Sequence, residues 1–221
     1  MTPTSEPYRD SSGRALTDYP RPSVAVDTAV LTVTEGGIAV VLVESEGDAA
    51  LPGTFLHESE ALADAVLRSL REKAGIEGLA PRQLHVFDRP GRDSRGWVLS
   101  VAHRVVVPER MLRLDDAHAR VTPLAEALAR PLAYDHDEII RRAVESLRSD
   151  YRDSPDPERL LAEPFTLREL QQVHEAVAGA RLPRDAFRRA MEPRLRATGE
   201  LTSGTRGKPA RLFRRPGPDG R

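Results

Sequence analysis

Between Leu51 and Ile76 the segment LPGTFLHESEALADAVLRSLREKAGI sets a Pro-Gly loop ahead of a helix that ends at Gly75. Residues 69, 72 and 73 are spaced i, i+3, i+4, so they project from one helix face. Carboxylates at all three would gather oxygen ligands for Mg²⁺, a cation held through carboxylates, water and substrate phosphates. The chain has Ser69, Glu72 and Lys73 there: one carboxylate, flanked by a weak hydroxyl ligand and by an ammonium that repels a divalent ion. Metal-assisted attack of water on a substrate phosphate is therefore not expected. No catalytic residue, metal or cofactor is expected, and Glu60 and Glu72 are candidate ligand contacts instead. A second segment, FDRPGRDSRGWVLSV (Phe87 to Val101), puts Arg92, Asp93 and Arg95 on a glycine-containing loop. Guanidinium forks there suit a phosphate or a carboxylate.

The elements that must position these groups can be read from periodicity. Val24 to Val33 and Ile38 to Val43 are β-branched runs joined by Thr34-Glu35-Gly36-Gly37, which predicts a hairpin. Leu62, Ala65, Val66, Ser69 and Leu70 form the apolar stripe of the helix that follows. Strands are expected at Leu84 to Phe87 and Gly96 to Val107, and only a loop and a short helix over residues 115–130. Ala133 to Ser149 reads as a helix with Asp135 as its cap and Glu138 completing a capping box, so the Asp-His-Asp-Glu cluster there is assigned to capping. Tyr151 to Pro157, YRDSPDP, favours turns and marks a linker over residues 151–157.

Beyond it, Thr166 and Glu169 form a capping box for LRELQQVHEAVAG, Gly179 ends that helix, and Pro183 begins a second, RDAFRRAME, which Pro193 ends or kinks. Two helices joined by a tight turn are a helix-turn-helix signature. Glu200 to Thr202 and Arg211 to Arg214 then flank the basic tip Gly204 to Pro209, a short ribbon that reads as a wing. Arg184, Arg188 and Arg189 on the second helix and Arg206, Lys208 and Arg211 on the wing, with Thr166 at the first helix cap, are the candidate DNA contacts. In that arrangement the helix would enter a major groove while the wing tracks phosphates.

Charge supports the division. Leu161 to Arg221 holds 12 Arg and 1 Lys against 7 Asp or Glu, a net +6 that leaves −7 to the remainder of a chain whose total is −1. The basic end is the one suited to double-stranded DNA. With 221 residues and 39% apolar content the chain suits one large or two small domains. The absence of cysteine excludes disulfides and thiolate zinc sites, and no apolar run is long enough to span a bilayer. A cytoplasmic protein without a membrane partner is expected. His57, His85, His103, His118, His136 and His174 show no paired ligand spacing and are read as structural or surface residues.

The box from Leu51 to Ile76 resembles the Nudix box: Glu60, Arg68, Leu70, Glu72, Gly75 and Ile76 match its pattern, while Thr54 replaces the opening glycine and Ser69 and Lys73 replace carboxylates. The order of parts, ending in FTLRELQQVHEAVAG, AFRRAM and RGKPARLFRR, resembles the NrtR family of Nudix-related transcriptional regulators over roughly residues 20 to 215. That resemblance implies an α+β chain: a Nudix-like mixed-sheet α/β/α sandwich followed by a winged helix-turn-helix domain. It also implies a homodimeric repressor of NAD metabolism genes whose Nudix-like domain senses ADP-ribose or a related nucleotide. By carry-over, Arg184, Phe187, Arg188 and Arg189 match the recognition helix, with Phe187 more suited to core than contact, and Arg206 and Lys208 match the wing.

The domains expected are a disordered tail (1–20), the Nudix-like sensor (21–150), the linker (151–157), the winged helix (158–216) and a tail (217–221). The competing reading is an active nucleoside diphosphate or ADP-ribose hydrolase with a nonstandard metal site using Glu60, Glu72 and a carboxylate from elsewhere. A third is a protein-interaction module with neither activity.

Overall fold

The structure, a computed structural model, describes residues 8–45, 47–114, 119–203 and 208–217. β1 (Ser23–Thr34) and β2 (Gly37–Ser45) form the expected hairpin, with Thr34 paired to Gly37 and Leu31 to Val40. β1 is the axis of a seven-stranded mixed sheet. β6 (Val98–Val106) runs parallel to it, from Ser23 opposite Val98 to Leu31 opposite Val106. The other pairings are antiparallel: β4 (Gly53–Phe55) on β1, β3 (Asp48–Ala50) and β7 (Ala119–Pro123) on β2, and β5 (Arg82–Phe87) on β6.

β7 lies where the sequence predicts no strand. It is short, ends in proline and buries only Ala119 and Thr122, so its extended form comes from pairing with β2 rather than from its own pattern.

Helices cover both faces. α1 (Leu62–Ala74) buries Ala65, Val66, Leu70 and Ala74 against Val26, Val30, Val101 and Val105, and Gly75 ends it in the left-handed region at φ 63°. α2 (Leu124–Ala127) and α3 (His136–Asp153) cover the other face, where Ile139, Ile140, Ala143, Val144 and Leu147 meet Ala29, Leu31, Ala102 and Val106. Strand alternation then fixes the polar residues. Asp27 shares the parity of Ala29 and Leu31, and Ser100 and Arg104 that of Ala102, so all three point toward the α3 face.

Two expectations for α3 change. Asp135 stands at φ 64° and makes no side-chain cap bond, and Glu138 pairs with Arg142, so the capping box of α3 is not formed. α3 continues through Asp153, because the Tyr151 ring is buried and its hydroxyl donates to Asp156. Asp156, within the expected linker, is itself buried and accepts from the Leu160 and Leu161 N–H groups. Within the expected N-terminal tail, Asp10 accepts from the N–H groups of Ser12 and Arg14 and so closes a turn.

The C-terminal unit contains β8 (Phe165–Thr166), α4 (Leu167–Ala178), α5 (Arg184–Met191), β9 (Arg196–Leu201) and β10 (Arg211–Arg214), with strand order β8-β10-β9. Phe165, Leu170, Phe187, Met191 and Phe213 make its core. Pro183 is the cap of α5 rather than its first residue, and β9 begins at Arg196, earlier than expected. Arg206, expected at the wing tip, lies outside the described residues, as does His118.

Candidate functional site

On β1, Asp27 lies opposite Gly53 of β4, and a Cβ on Gly53 would come within 2.0 Å of its Oδ1, so only glycine lets the strands pass this carboxylate. Ser100 Oγ donates to Asp27 Oδ2 at 2.5 Å, and His136 Nε2 lies 3.3 Å from Oδ1. The N–H of Leu51 donates to His136 Nδ1 at 2.9 Å, so Nδ1 carries no proton and Nε2 presents its hydrogen to the carboxylate side. Burial pushes the Asp27 carboxyl up, but His136, Ser100 and Arg92 outweigh it and hold the group below the usual carboxylate range.

The loop after β5 completes the wall. The Arg92 side chain is 1% exposed; its Nη2 donates to the Tyr134 carbonyl at 2.5 Å and its Nε lies 3.4 Å from Asp135 Oδ2. Asp135 also accepts from Arg89 at 2.6 Å. Asp93 takes Arg95 in a fork, at 3.0 and 2.9 Å, and this bond to Arg95 holds the Asp93 carboxyl low. The Arg95 guanidinium lies 4.4 Å over the Tyr134 ring and 5.1 Å over Phe55. Tyr134 and Asp135 are consecutive non-glycine residues at φ 58° and 64°. Asp tolerates that region, but a bulky ring there is costly and is kept by its surroundings.

Asp27, Arg92, Asp93, Arg95, Tyr134 and His136 line a cavity of about 150 Å³ that also includes Lys73, Thr54 and Ser45. The structure places Arg92, Asp93 and Arg95 together on the cavity wall. Glu60 and Glu72 are not among the lining residues. Glu60 accepts from Arg68 Nε at 2.8 Å and from the His57 N–H at 2.9 Å, and Arg68 reaches on to Thr54 and the Phe55 carbonyl, which ties α1 to β4. The Arg68 hydrogen bond, more than any other influence, holds the Glu60 carboxyl low, at about 2.

A Nudix-type magnesium site does not fit these residues. Ser69 is buried with its hydroxyl unpartnered, Glu72 stands half exposed 3.9 Å from both Arg68 and Arg71, and Lys73 brings a cation to the cavity. Among the described residues no group of three or more His, Cys, Asp or Glu could hold a metal.

The second site is a groove on the winged domain, of about 570 Å³, lined by Thr166, Arg184, Arg188, Glu192, Lys208 and Arg211, among others. Thr166 caps α4: its Oγ1 accepts from the Glu169 N–H at 3.2 Å, and Glu169 accepts back from the Thr166 N–H at 2.7 Å. Phe187 and Met191 turn into the core, which leaves Arg184 and Arg188, one turn apart, on the exposed face of α5. Arg189 is exposed but does not line the groove.

Comparison with known proteins agrees with both halves. The NUDIX domain family matches residues 22–143, and the NrtR DNA-binding winged helix domain family matches residues 157–215. The ADPR responsive transcriptional repressor NtrR of Acinetobacter baylyi is 31% identical over 184 residues, covering 79% of this chain and 74% of that protein. The chain belongs to the NrtR family. The crystal structure of Shewanella oneidensis NrtR complexed with a 27mer DNA superposes with TM-score 0.74 at 34% identity, over 87% of this chain and 93% of that one. The NUDIX domain of the same protein, solved with ADP ribose, matches 62% of this chain and 95% of that one, with TM-score 0.55 and 29% identity.

In this NrtR-family chain α3 joins the two sites. It starts at His136 in the cavity, and near its other end the Tyr151 ring meets His174 of α4 edge-on at 5.1 Å. His174 meets Phe187 of α5 at 4.9 Å, and its Nε2 faces the Pro155 carbonyl at 2.5 Å, which places the ring proton there. Val177 of α4 packs in the same core as α3 and the sheet, and Arg148 donates to the Val177 carbonyl. Sequence reading missed Asp27, His136, Tyr134 and Lys73 as cavity residues. One signal was available for Asp27, an acidic residue in an otherwise apolar run that strand alternation buries. His136, assigned to the structural set, is a wall residue instead.

Proposed function

We propose that this chain is a DNA-binding transcriptional repressor of NAD metabolism genes, acting in the cytoplasm as a homodimer, whose Nudix domain senses ADP-ribose or a related nucleotide without hydrolysing it. The observation that carries the reading is the continuous packing from the cavity, along α3, to the helix that presents Arg184 and Arg188. The Acinetobacter repressor, responsive to ADPR, and the Shewanella structures with DNA and with ADP ribose support the same DNA and ligand classes.

The cavity's chemistry suits an anionic nucleotide. Lys73 and Arg95 supply cations, and Phe55 and Tyr134 supply ring faces beside them. Its volume of about 150 Å³ is below the roughly 300 Å³ at which pockets for drug-sized ligands begin. A ligand of that size therefore enters fully only if the wall opens. The wall is the Tyr134-Asp135 turn that begins α3, held by Arg92, Arg89 and Arg95. Opening it displaces the start of an 18-residue helix, a rod about 27 Å long at 1.5 Å per residue. Its far end bears on the His174–Phe187 contact. A ligand that prefers the opened wall shifts the winged domains away from the spacing of two half-sites.

The test is fluorescence anisotropy of DNA upstream of the chain's own gene, at two salt concentrations, with and without ADP-ribose. Salt-sensitive, sequence-dependent binding weakened by ADP-ribose is the expected result. Linkage requires the DNA to weaken ADP-ribose binding by the same factor, and equal ADP-ribose affinity with and without DNA would remove the coupling. Release of AMP from ADP-ribose that depends on Mg²⁺ and is lost in Glu72→Gln would favour the hydrolase reading instead.

A further inference from the structure

One carboxylate joins two of the elements that line the groove on the winged domain, α5 and β10. Glu192 follows Met191, the last residue of α5, and opens the single 3-10 turn Glu192–Arg194. Its Oε2 accepts from Arg188 Nε at 2.7 Å, one turn back, and its Oε1 accepts from Arg211 Nη1 at 3.0 Å on β10. The side chains of Arg188 and Arg211 are 61% and 60% exposed, whereas that of Glu192 is 23% exposed. Exposed pairs of this kind contribute little to stability, about 0–1 kcal/mol. Their effect falls on what the arginines can do.

We propose that Glu192 is a specificity-determining positioning residue, which fixes the Arg188 fork for a base edge and disfavours binding through phosphates alone. The inference rests on the DNA-binding reading of this groove. Glu192 occupies the Nε edge of Arg188 and leaves its two terminal nitrogens for the paired acceptors of a guanine in the major groove. It also links Arg211 at the start of β10 to the end of the recognition helix. At the same time it places a negative charge between two of the groove's cations, and a phosphate that approaches either one meets that charge. Sequence-independent binding is weakened by this repulsion, while base contacts gain from the preset geometry.

The experiment uses the full chain and two duplexes: one recovered by the wild-type protein from a random-sequence pool, and a scrambled duplex of the same composition. Binding is measured for wild type, Glu192→Gln and Glu192→Ala across a salt series. In Glu192→Gln the scrambled duplex is expected to bind about fivefold more tightly, with a salt slope steeper by roughly one phosphate's worth, ~0.9. The selected duplex gains less than about twofold, so discrimination falls. Glu192→Ala, which also frees the Nε edge, loses discrimination further. Equal shifts on both duplexes would reduce Glu192 to a bulk charge and overturn the proposal, as would unchanged discrimination. If the wild type enriches no sequence from the pool, the regulator reading itself falls, and that outcome is separate from loss of the clamp alone.

Discussion

In the Nudix-domain cavity Arg92 is almost wholly buried; its Nη2 donates to the Tyr134 carbonyl and its Nε lies 3.4 Å from the Asp135 carboxylate. On the winged domain Arg184, Arg188 and Arg211 stand in solvent, the last two paired with Glu192. The same side chain thus shapes a wall in one place and presents a charge in the other. Burial makes the difference, because an arginine removed from water must find acceptors inside the protein, whereas an exposed one keeps its charge for a partner. Substitutions in the cavity should therefore be felt in stability, and substitutions in the groove in binding and its salt dependence.

The strongest break in that contrast is Asp27→Ala. It removes the acceptor of Ser100, leaves the His136 Nε2 proton without its carboxylate and strips Arg92 of a nearby counter-charge. Losing one partner of a buried charged group costs about 3–5 kcal/mol, to be read from urea unfolding, and ADP-ribose binding should be lost with it. Because the Asp27 carboxyl is held low in the fold, its stabilisation is fully present above the unfolded value of about 3.9 and is lost as pH falls below that. A drop of less than about 1 kcal/mol, within the range of an ordinary exposed pair, would show that the cavity wall does not depend on this carboxylate.

Arg188→Ala sharpens the opposite side. Its expected cost is in DNA affinity, with the salt slope shallower by about 0.9 if Arg188 meets a phosphate and with relaxed base preference if it meets a base. Unfolding should change by no more than about 0.5 kcal/mol. A large loss of stability here would mean that the groove is built like the cavity.

The contrast also explains what could be read from the sequence. Exposed groups follow local rules. The Thr166–Glu169 capping box, Gly179 and the Arg184/Arg188 face of α5 are properties of one helix each, and all are found where periodicity places them. The β1–β2 hairpin and the α1 stripe are legible for the same reason. The cavity is not local. Asp27, Gly53, Arg92 and His136 come from three strand or loop segments and a helix, and their meeting depends on register. Asp135 shows the failure directly: its residue type and the glutamate three places on satisfy a capping rule, yet the buried Arg92 and the exposed Arg89 take the carboxylate instead. β7 is a strand only by virtue of β2.

A smaller effect tests the junction between the two regions. His174 is buried between Tyr151 and Phe187, and burial, chiefly, pushes its pKa down despite its bond to the Pro155 carbonyl and the charge of Asp156. The unfolded chain takes up this proton first as pH falls, so the associated stability is complete above about 6.5 and is lost below it. His103, lowered by the same cause, adds a loss of the same sign. Between roughly pH 7.5 and 5.5 the wild type should therefore lose more Tm than His174→Gln, which keeps a donor for the carbonyl but does not titrate in this range. Equal losses would assign the pH response to other groups, His103 among them, and leave the α3–α4 junction insensitive to protons.

The smallest expected effect is a null one, and it bears on whether the cavity binds or cleaves. Three features oppose a divalent ion on α1: the Ser69 hydroxyl is buried, Glu72 lies between Arg68 and Arg71, and Lys73 is the α1 cation at the cavity. Mg²⁺ would have to displace an ammonium that already offers the charge a diphosphate needs. Calorimetric titration of ADP-ribose into the full chain should therefore give an affinity that changes by less than about twofold between EDTA and millimolar Mg²⁺, whereas Lys73→Glu should weaken binding in EDTA by placing like charge against the ligand. If Mg²⁺ instead tightens binding to the wild type tenfold or more, about 1.4 kcal/mol, the ammonium is not serving in the ion's place. The cavity would then belong with the hydrolases, and the contrast between a closed sensing wall and an open DNA face would lose its first term.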